Sequence, residues 1–168
     1  VSSNSGDNLL TDGTRIVGGV RSRNGVNIWT DNALWNMSFV GPPFVFKFQQ
    51  LGSNCGLLAP HAAVDYKGAS IWMGHDNFYT NDGQVRVLPC TVRKHVFDEL
   101  NLSQVDKVYA GINSEFNEII WLYPSNNTTN SDCDKYVIFS PEGNYWTIGT
   151  TLFTTFADQY VFGNTITT

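Results

Sequence analysis

The 168-residue sequence predicts an all-β protein built from repeated units of about four strands. A phrase ending in tryptophan occurs three times, as NGVNIW at 24–29, KGASIW at 67–72 and FNEIIW at 116–121. The spacing of about 40–50 residues between copies is typical of radial or linear arrays of structural repeats. Long stretches with a 3.6-residue apolar period are missing, which argues against a helical array.

A second element follows the first two tryptophans. It reads DNALW at 31–35 and DNFY at 76–79, and the two copies are offset by a single residue. Each unit therefore predicts a strand, a polar turn and a strand. In the third unit a polar insertion from Ser125 to Asp134 precedes the run KYVIF at 135–139, and this longer hairpin tip accounts for the larger second interval.

Turn signals separate the short strand-like runs. Asp82-Gly83 divides NFYT at 77–80 from QVRVL at 84–88, and this dipeptide predicts a tight hairpin because both turn positions favour positive φ. Asn24-Gly25 and Glu142-Gly143 occupy comparable places. One stretch, 90–104, departs from the pattern, and VFDEL at 96–100 predicts a helical turn or short helix that carries the chain between sheets.

A period of this length with about four strands is the signature of a β-propeller blade. We expect a polar connector at 1–14 and three blade-like units at about 15–59, 60–104 and 105–168. Trp29, Trp72 and Trp121 are then expected to fill the space between stacked sheets. Closed propellers need about 4–8 blades, so we expect an incomplete propeller in a piece of a larger protein, or sheets packed in another way.

Composition limits the classes of function. The chain is 42% hydrophobic and 15% charged, which favours a folded core over disorder. Its net charge of −5 argues against a surface that grips nucleic acid through phosphate neutralisation. No apolar run reaches the roughly 18–20 residues of a membrane span. Cys55, Cys90 and Cys133 lack a C-x-x-C pair, and we expect reduced, mostly buried thiols in a reducing cytoplasm.

The sequence gives little sign of catalysis, and we expect no enzyme, cofactor or metal site. His61, His75 and His95 lie outside any nucleophile elbow, metal-binding helix or phosphate-binding glycine loop. The phrase SPEGNYW at 140–146 is similar to the S-x-D-x-G-x-x-W turn of carbohydrate-cleaving propellers. It is one residue short, has Glu for Asp, and occurs once instead of once per blade.

Several longer phrases carry a resemblance to a known family. They are WTDNALWNMSFVGPPF at 29–44, GSNCGLLAP at 52–60, WMG at 72–74, VLPC at 87–90, FNEIIWLYPS at 116–125, KYVIF at 135–139 and WTIGT at 146–150. In this order, over about 24–157, they resemble the tail nozzle, or tail stabilisation, proteins of tailed bacteriophages of the podovirus type. The match departs at 154–158, where an Arg and a Trp around Asp158 are expected.

The resemblance implies a non-enzymatic virion component. Such proteins are propeller-bearing subunits that assemble, usually as a homohexameric ring, below the portal and adaptor. They extend the channel through which phage DNA passes without specific binding, contribute to genome ejection, and dock fibres or other tail proteins. The implied location is the virion tail, assembled in the cytoplasm of the bacterial host, with host-surface contact at loop tips.

Two other classes stay open. A receptor- or glycan-binding propeller would use exposed aromatic side chains as stacking platforms, and a propeller glycosidase would need two carboxylates about 5–10 Å apart in one cleft. The candidate contact residues are aromatic or Asn-rich positions near predicted turns. They are Trp35, Tyr79, Tyr145, Asn126 and Asn127.

Overall fold

A computed structural model describes residues 8–43, 45–127 and 132–153 of the chain. Over these residues it contains three four-stranded sheets, and every pair of neighbouring strands is antiparallel. The all-β prediction is confirmed. The departure from the family phrases at 154–158, and residues 128–131 of the polar insertion, lie outside the described residues.

Each sheet is a meander whose strands follow one another in chain order. The first sheet comprises β1 (Ile16–Ser22), β2 (Gly25–Thr30), β3 (Ala33–Phe39) and β4 (Phe46–Ser53). The second comprises β5 (Ala63–Tyr66), β6 (Ala69–Met73), β7 (Phe78–Asn81) and β8 (Val85–Leu88). The third comprises β9 (Tyr109–Asn113), β10 (Glu118–Tyr123), β11 (Cys133–Ser140) and β12 (Tyr145–Phe153). This arrangement is consistent with propeller-like blades.

The turn chemistry that the sequence predicted produces these hairpins. Asn81 pairs with Val85 across the turn that contains Asp82-Gly83, and Gly83 has φ 125. At the β5–β6 turn, Lys67 and Gly68 have φ 51 and 85, the positive values that a tight hairpin turn needs. Polar turn residues therefore fix where each strand ends.

The connector between the second and third sheets is helical. Helix α1 (Arg93–Glu99) is followed by a 3₁₀ helix at Leu102–Lys107. The helical element predicted at 96–100 is confirmed, although α1 begins earlier in the chain. Val96 of α1 is fully buried and belongs to the core, so the connector is anchored by apolar packing.

The sheets stack in chain order with their first strands adjacent. β1 contacts β5 and β5 contacts β9, and a parallel bridge joins His61 to Tyr109 beside these strands. The main hydrophobic core occupies the two spaces between the sheets. The second sheet is therefore covered on both faces, whereas the first and third sheets each have one face turned away from their neighbour.

The three tryptophans are fully buried in these two spaces. The Trp72 indole N–H donates to the Cys55 carbonyl at 2.9 Å, and the Trp121 indole N–H donates to the Ala62 carbonyl at 3.0 Å. The Trp29 ring lies 5.3 Å from the Trp72 ring, but its N–H has no acceptor among the described residues. Trp72 and Trp121 therefore tie their sheets to the segment between β4 and β5.

Trp29 faces the opposite way from the other two. Trp72 points towards the first sheet and Trp121 towards the second, whereas Trp29 points forward to the second sheet. The reason is the distance of each residue from the first hairpin turn of its sheet. The pairs that close these turns are Ser22↔Gly25 and Tyr66↔Ala69, so Ile28, and not Trp29, is the residue equivalent to Trp72. This shift of one residue explains the single-residue offset between the DNALW and DNFY phrases in the sequence.

The described part of the predicted connector, 8–14, is held against the first sheet by two carboxylates. Asp12 accepts hydrogen bonds from Ser53, Asn32 and Gln50, and Asp31 accepts from the hydroxyl and backbone N–H of Thr14. These bonds lower the pKa of both carboxyl groups. The largest effect on Asp12 comes from the Ser53 hydrogen bond, and the largest effect on Asp31 comes from the Thr14 hydroxyl.

We expect this attachment to weaken in acid. A folded-state pKa below the ordinary value of 3.8 gives stabilisation that is present above pH 3.8 and is lost as the pH falls through the folded-state pKa. The amide NMR signal of Thr14 should therefore move towards its random-coil position only below about pH 3.8. An Asp31→Ala variant should lack this transition at Thr14. A transition centred near neutral pH would contradict the expectation.

Candidate functional site: a polar cleft between the first two sheets

A polar cleft of about 380 Å³ opens between the first and second sheets, at the end where the β1–β2, β5–β6 and β7–β8 turns lie. Its volume falls within the range of about 300–1,000 Å³ that is usual for ligand pockets. Most of its lining side chains are amides or hydroxyls. The polar ones are Ser22, Arg23, Asn24, Asn27, Asn36, Ser38, Gln49, Asn81 and Asp82.

The innermost wall of the cleft is a chain of hydrogen-bonded side chains. Asn27 on β2 is only 3% exposed, and its Nδ2 donates to the Ser70 hydroxyl of the second sheet at 2.8 Å. Asn36, its cross-strand partner on β3, donates from Nδ2 to the Asn27 Oδ1 at 2.9 Å. A buried amide is tolerated when its partners satisfy it, so the network joins the sheets and fixes the orientation of two amides.

The rim of the cleft carries its charged groups. The Arg23 guanidinium lies against Gly68, where an added Cβ would come within 2.8 Å of it. Asp82 forms an ion pair with Arg86, and the neighbouring Gly83 N–H donates to the Asn81 Oδ1 at 3.2 Å. The oppositely charged side chains of Arg23 and Asp82 are thus exposed at the entrance of the cleft, and the uncharged amides lie deeper.

This arrangement suits a neutral ligand rich in hydroxyl groups. Amides and hydroxyls supply directional donors and acceptors without a net charge. Among the described lining residues Asp82 is the only carboxylate, and it is paired with Arg86. The cleft therefore holds no pair of carboxylates of the kind that glycoside hydrolysis requires.

Two of the predicted contact residues are not surface platforms. Trp35 is 8% exposed and Tyr79 is 7% exposed, so their assignment to an exposed contact surface is wrong. Tyr79 stacks on Trp72 with ring centroids 5.5 Å apart, and its hydroxyl lies 3.2 Å from the Asn54 carbonyl. Both residues lie on central strands, opposite Ile28 and Trp72, where neighbouring strands cover them.

The other three predicted contact residues are exposed but do not form one surface. Tyr145 is 49% exposed at the β11–β12 turn, and its hydroxyl bonds the Glu118 carboxylate at 3.2 Å. Asn126 and Asn127 follow β10 at the opposite end of the third sheet. The Asn126 N–H donates to the Glu99 carbonyl at 2.8 Å and so ties the insertion to α1.

The titratable side chains of the described residues are mostly apart, but His95 and Lys135 both lie against the Glu99 carboxylate, Lys135 at 3.7 Å. His95 contacts Glu99 at 3.3 Å on the surface of α1, and His61 lies beside the Tyr109 ring. Burial raises the pKa of the three thiols, Cys55, Cys90 and Cys133, which are all free. No group of three His, Cys, Asp or Glu side chains among these residues is placed to bind a metal ion.

The sequence did not predict the cleft, because the lining residues lie on five strands and three turns of two sheets. The one local signal was a polar amide inside an apolar strand phrase, Asn27 in NGVNIW and Asn36 in LWNM. Whether those amides meet depends on the pairing of β2 with β3 and on the stacking of the sheets, which one sequence does not specify.

No protein-family model matches the chain, and no curated protein is significantly similar to it. Among the described residues, no helix has the length and apolar character needed to cross a membrane.

Proposed function

We propose that this protein is a non-enzymatic structural component of a bacteriophage tail, in the nozzle or tail stabilisation class. The stack of three four-stranded sheets with tryptophans packed between them is the observation that supports a mechanical role. The phrases at about 24–157 that resemble tail nozzle proteins support the location in the virion. Copies of the chain would assemble with each other and with the adaptor and fibre proteins, in the host cytoplasm.

Physical properties of the chain fit such a role. Aromatic side chains that interlock between sheets give a stiff body, because close-packed interiors resist deformation. A net charge of −5 leaves no general attraction for the DNA that passes through a tail channel. The paired Asp82–Arg86 and Lys67–Glu142 side chains are exposed at turn tips, where other tail proteins would meet them.

Purified virions provide the test. Mass spectrometry of the particles should detect peptides of this chain, and antibody-gold labelling should place it at the tail and away from the capsid. A strain in which the gene is disrupted should produce particles with shortened or unstable tails that lose DNA. A protein found in infected cytoplasm but missing from purified particles would contradict the proposal.

The polar cleft favours glycan binding as a second candidate function. Its walls offer oriented amides from Asn27 and Asn36 and the more exposed amide of Gln49. Neutral sugars are recognised by such directional donors and acceptors. A tail protein with this cleft would also contact a host surface, so the two functions are compatible but separable by experiment.

A matched pair of variants tests the cleft. Gln49→Ala removes an exposed amide from the cleft lining, whereas Gln84→Ala removes an exposed amide from the β7–β8 turn outside it. If a glycan array identifies a ligand, Gln49→Ala should weaken its binding about 5-fold, because one hydrogen bond contributes about 1 kcal/mol. Gln84→Ala should leave the affinity unchanged. Equal effects of both substitutions, or no binding to any glycan, would rule the cleft out as a sugar site.

A further inference from the structure

The β3–β4 hairpin extends beyond the rest of the first sheet. β3 pairs with β2 only as far as Met37, whereas it pairs with β4 as far as Phe39↔Phe46. Past these pairs, the Val40 N–H donates to the Val45 carbonyl at 3.1 Å and holds the two strands together. We call the described residues of this extension the finger. They are Phe39, Val40, Gly41, Pro42, Pro43, Val45 and Phe46.

The internal repeat shows that the finger is an addition to the common four-stranded unit. Counted from the first hairpin turn of each sheet, Asn81 on β7 is equivalent to Met37 on β3. In the second sheet the polar Asp82-Gly83 turn follows Asn81 at once, whereas β3 continues into an apolar tip. A neighbouring sheet as long as the second would end level with Met37 and would leave the finger uncovered.

The side chains of the finger are exposed. Phe39 is 71% exposed, Val40 51% and Phe46 48%, and both prolines of the tip are exposed as well. The Phe39 and Phe46 rings pack edge to face with centroids 6.0 Å apart, so they form one continuous apolar surface. Contiguous exposed apolar surface is uncommon in water and marks a contact with a protein or a membrane.

The charges beside the finger differ from those of the chain as a whole. Three exposed cations lie at the same end of the first sheet. They are Arg21, Arg23 and Lys47. None of them forms an ion pair with another described residue, and the Asp82 carboxylate across the cleft is paired with Arg86. The sequence has no Asp or Glu from 32 to 64. In a chain of net charge −5, the finger is therefore flanked by local positive charge, which attracts an anionic surface.

The backbone of the finger suits an apolar medium without hydrogen-bond acceptors. A backbone N–H that enters the hydrocarbon region of a bilayer unpaired is costly. The Val40 N–H is bonded within the finger, and Pro42 and Pro43 have no N–H to satisfy. A protein pocket can supply acceptors and does not require this scarcity of donors. Together with the flanking cations, it favours a lipid surface as the partner.

We propose that the finger inserts into the surface of a lipid bilayer with anionic headgroups, and that Arg21, Arg23 and Lys47 bind those headgroups. The three residues by which β3 continues past Met37 give the finger a reach of about 10 Å. This reach matches the depth of about 5–10 Å at which amphipathic segments lie in a membrane interface. Lipid binding is separate from the tail assignment, since either property can exist without the other.

Flotation of the 168-residue chain with lipid vesicles tests the proposal. We expect binding to phosphatidylcholine vesicles that contain about one third phosphatidylglycerol, and this binding should weaken as salt is added. Phe39→Ser combined with Phe46→Ser should weaken it at least about 10-fold, because two aromatic side chains no longer leave water. Lys47→Gln should weaken it about 5-fold, and should have no effect on vesicles of phosphatidylcholine alone.

Phe116 provides the matched control, because it is a phenylalanine 63% exposed at the β9–β10 turn. Phe116→Ser should leave vesicle binding unchanged. Lipids with brominated acyl chains should quench the fluorescence that Val40→Trp adds, and not the fluorescence that Phe116→Trp adds. Far-UV circular dichroism checks that each variant is folded, and if the double serine variant unfolds, the quenching comparison decides.

Four results would overturn the proposal. They are no binding to the mixed vesicles, binding that survives the double serine substitution in a folded protein, an equal loss with Phe116→Ser, and equal quenching at the two tryptophan positions. Self-association that the double serine substitution abolishes, without any vesicle binding, would show that the partner of the finger is a protein instead.

Discussion

Replacing Trp121 with alanine is expected to destabilise the protein by about 3–5 kcal/mol, the usual cost of truncating a buried aromatic side chain. Trp121 is fully buried, and its ring centroid lies 4.9 Å from Phe78 and 6.1 Å from Trp146. Its indole N–H donates to the Ala62 carbonyl at 3.0 Å, across to the segment that leads into β5. The substitution therefore leaves a cavity between the second and third sheets and removes a bond between them.

Urea unfolding followed by circular dichroism measures the loss, and two other variants separate its causes. Trp121→Phe keeps most of the apolar volume, and the Ala62 carbonyl still accepts the Met73 N–H, so the cost of the lost indole bond should be smaller, about 0.5–1.5 kcal/mol. Tyr145→Ala removes an aromatic side chain that is 49% exposed, and should cost under about 1 kcal/mol. If Trp121→Ala were no more destabilising than Tyr145→Ala, Trp121 would not be a main support of the core.

Local signals in the sequence were sufficient to predict the sheets. Hairpin turns depend on the backbone preferences of a few residues, so Asp82-Gly83 could be located without knowing what packs around it. The short apolar phrase before Trp72 likewise identifies a central strand, because a strand in a sheet that is covered on both faces has no need of polar alternation. Both features depend on residues close together in the chain.

Features that depend on the register between distant strands could not be predicted in the same way. A shift of one residue reverses the face on which a side chain lies, and a shift of this size turns Trp29 forward while Trp72 and Trp121 point back. For the same reason, the sequence could not show that the side chains of Trp35 and Tyr79 are buried, and the prediction placed them on a contact surface. The cleft escaped prediction because Asn27 and Ser70 meet only after two sheets have stacked.

Replacing Gly25 with alanine is expected to cost at least about 2 kcal/mol more than the same change at Gly83, although both glycines have similar positive φ, 129 and 125. A Cβ on Gly25 would lie 2.1 Å from the Met37 carbonyl oxygen, which belongs to the backbone of β3, whereas a Cβ on Gly83 would meet no atom within 4 Å. Gly83→Ala therefore carries only the conformational penalty, about 1–3 kcal/mol. Gly25→Ala must in addition displace β2 from β3 at Val26↔Met37, since a backbone atom cannot turn aside as a side chain can.

The difference between the two free energies of unfolding isolates the close approach of β2 and β3. Because the clash would separate β2 from β3 at this pair, Gly25→Ala should also increase amide hydrogen exchange at Val26 and Met37, while Gly83→Ala should change exchange only near the β7–β8 turn. Equal destabilisation by the two substitutions would mean that the first hairpin relaxes around an added methyl group at little cost. In that case the pairing of β2 with β3 would not be fixed by the tight contact at Gly25, and the orientation of Trp29 towards the second sheet would need another cause.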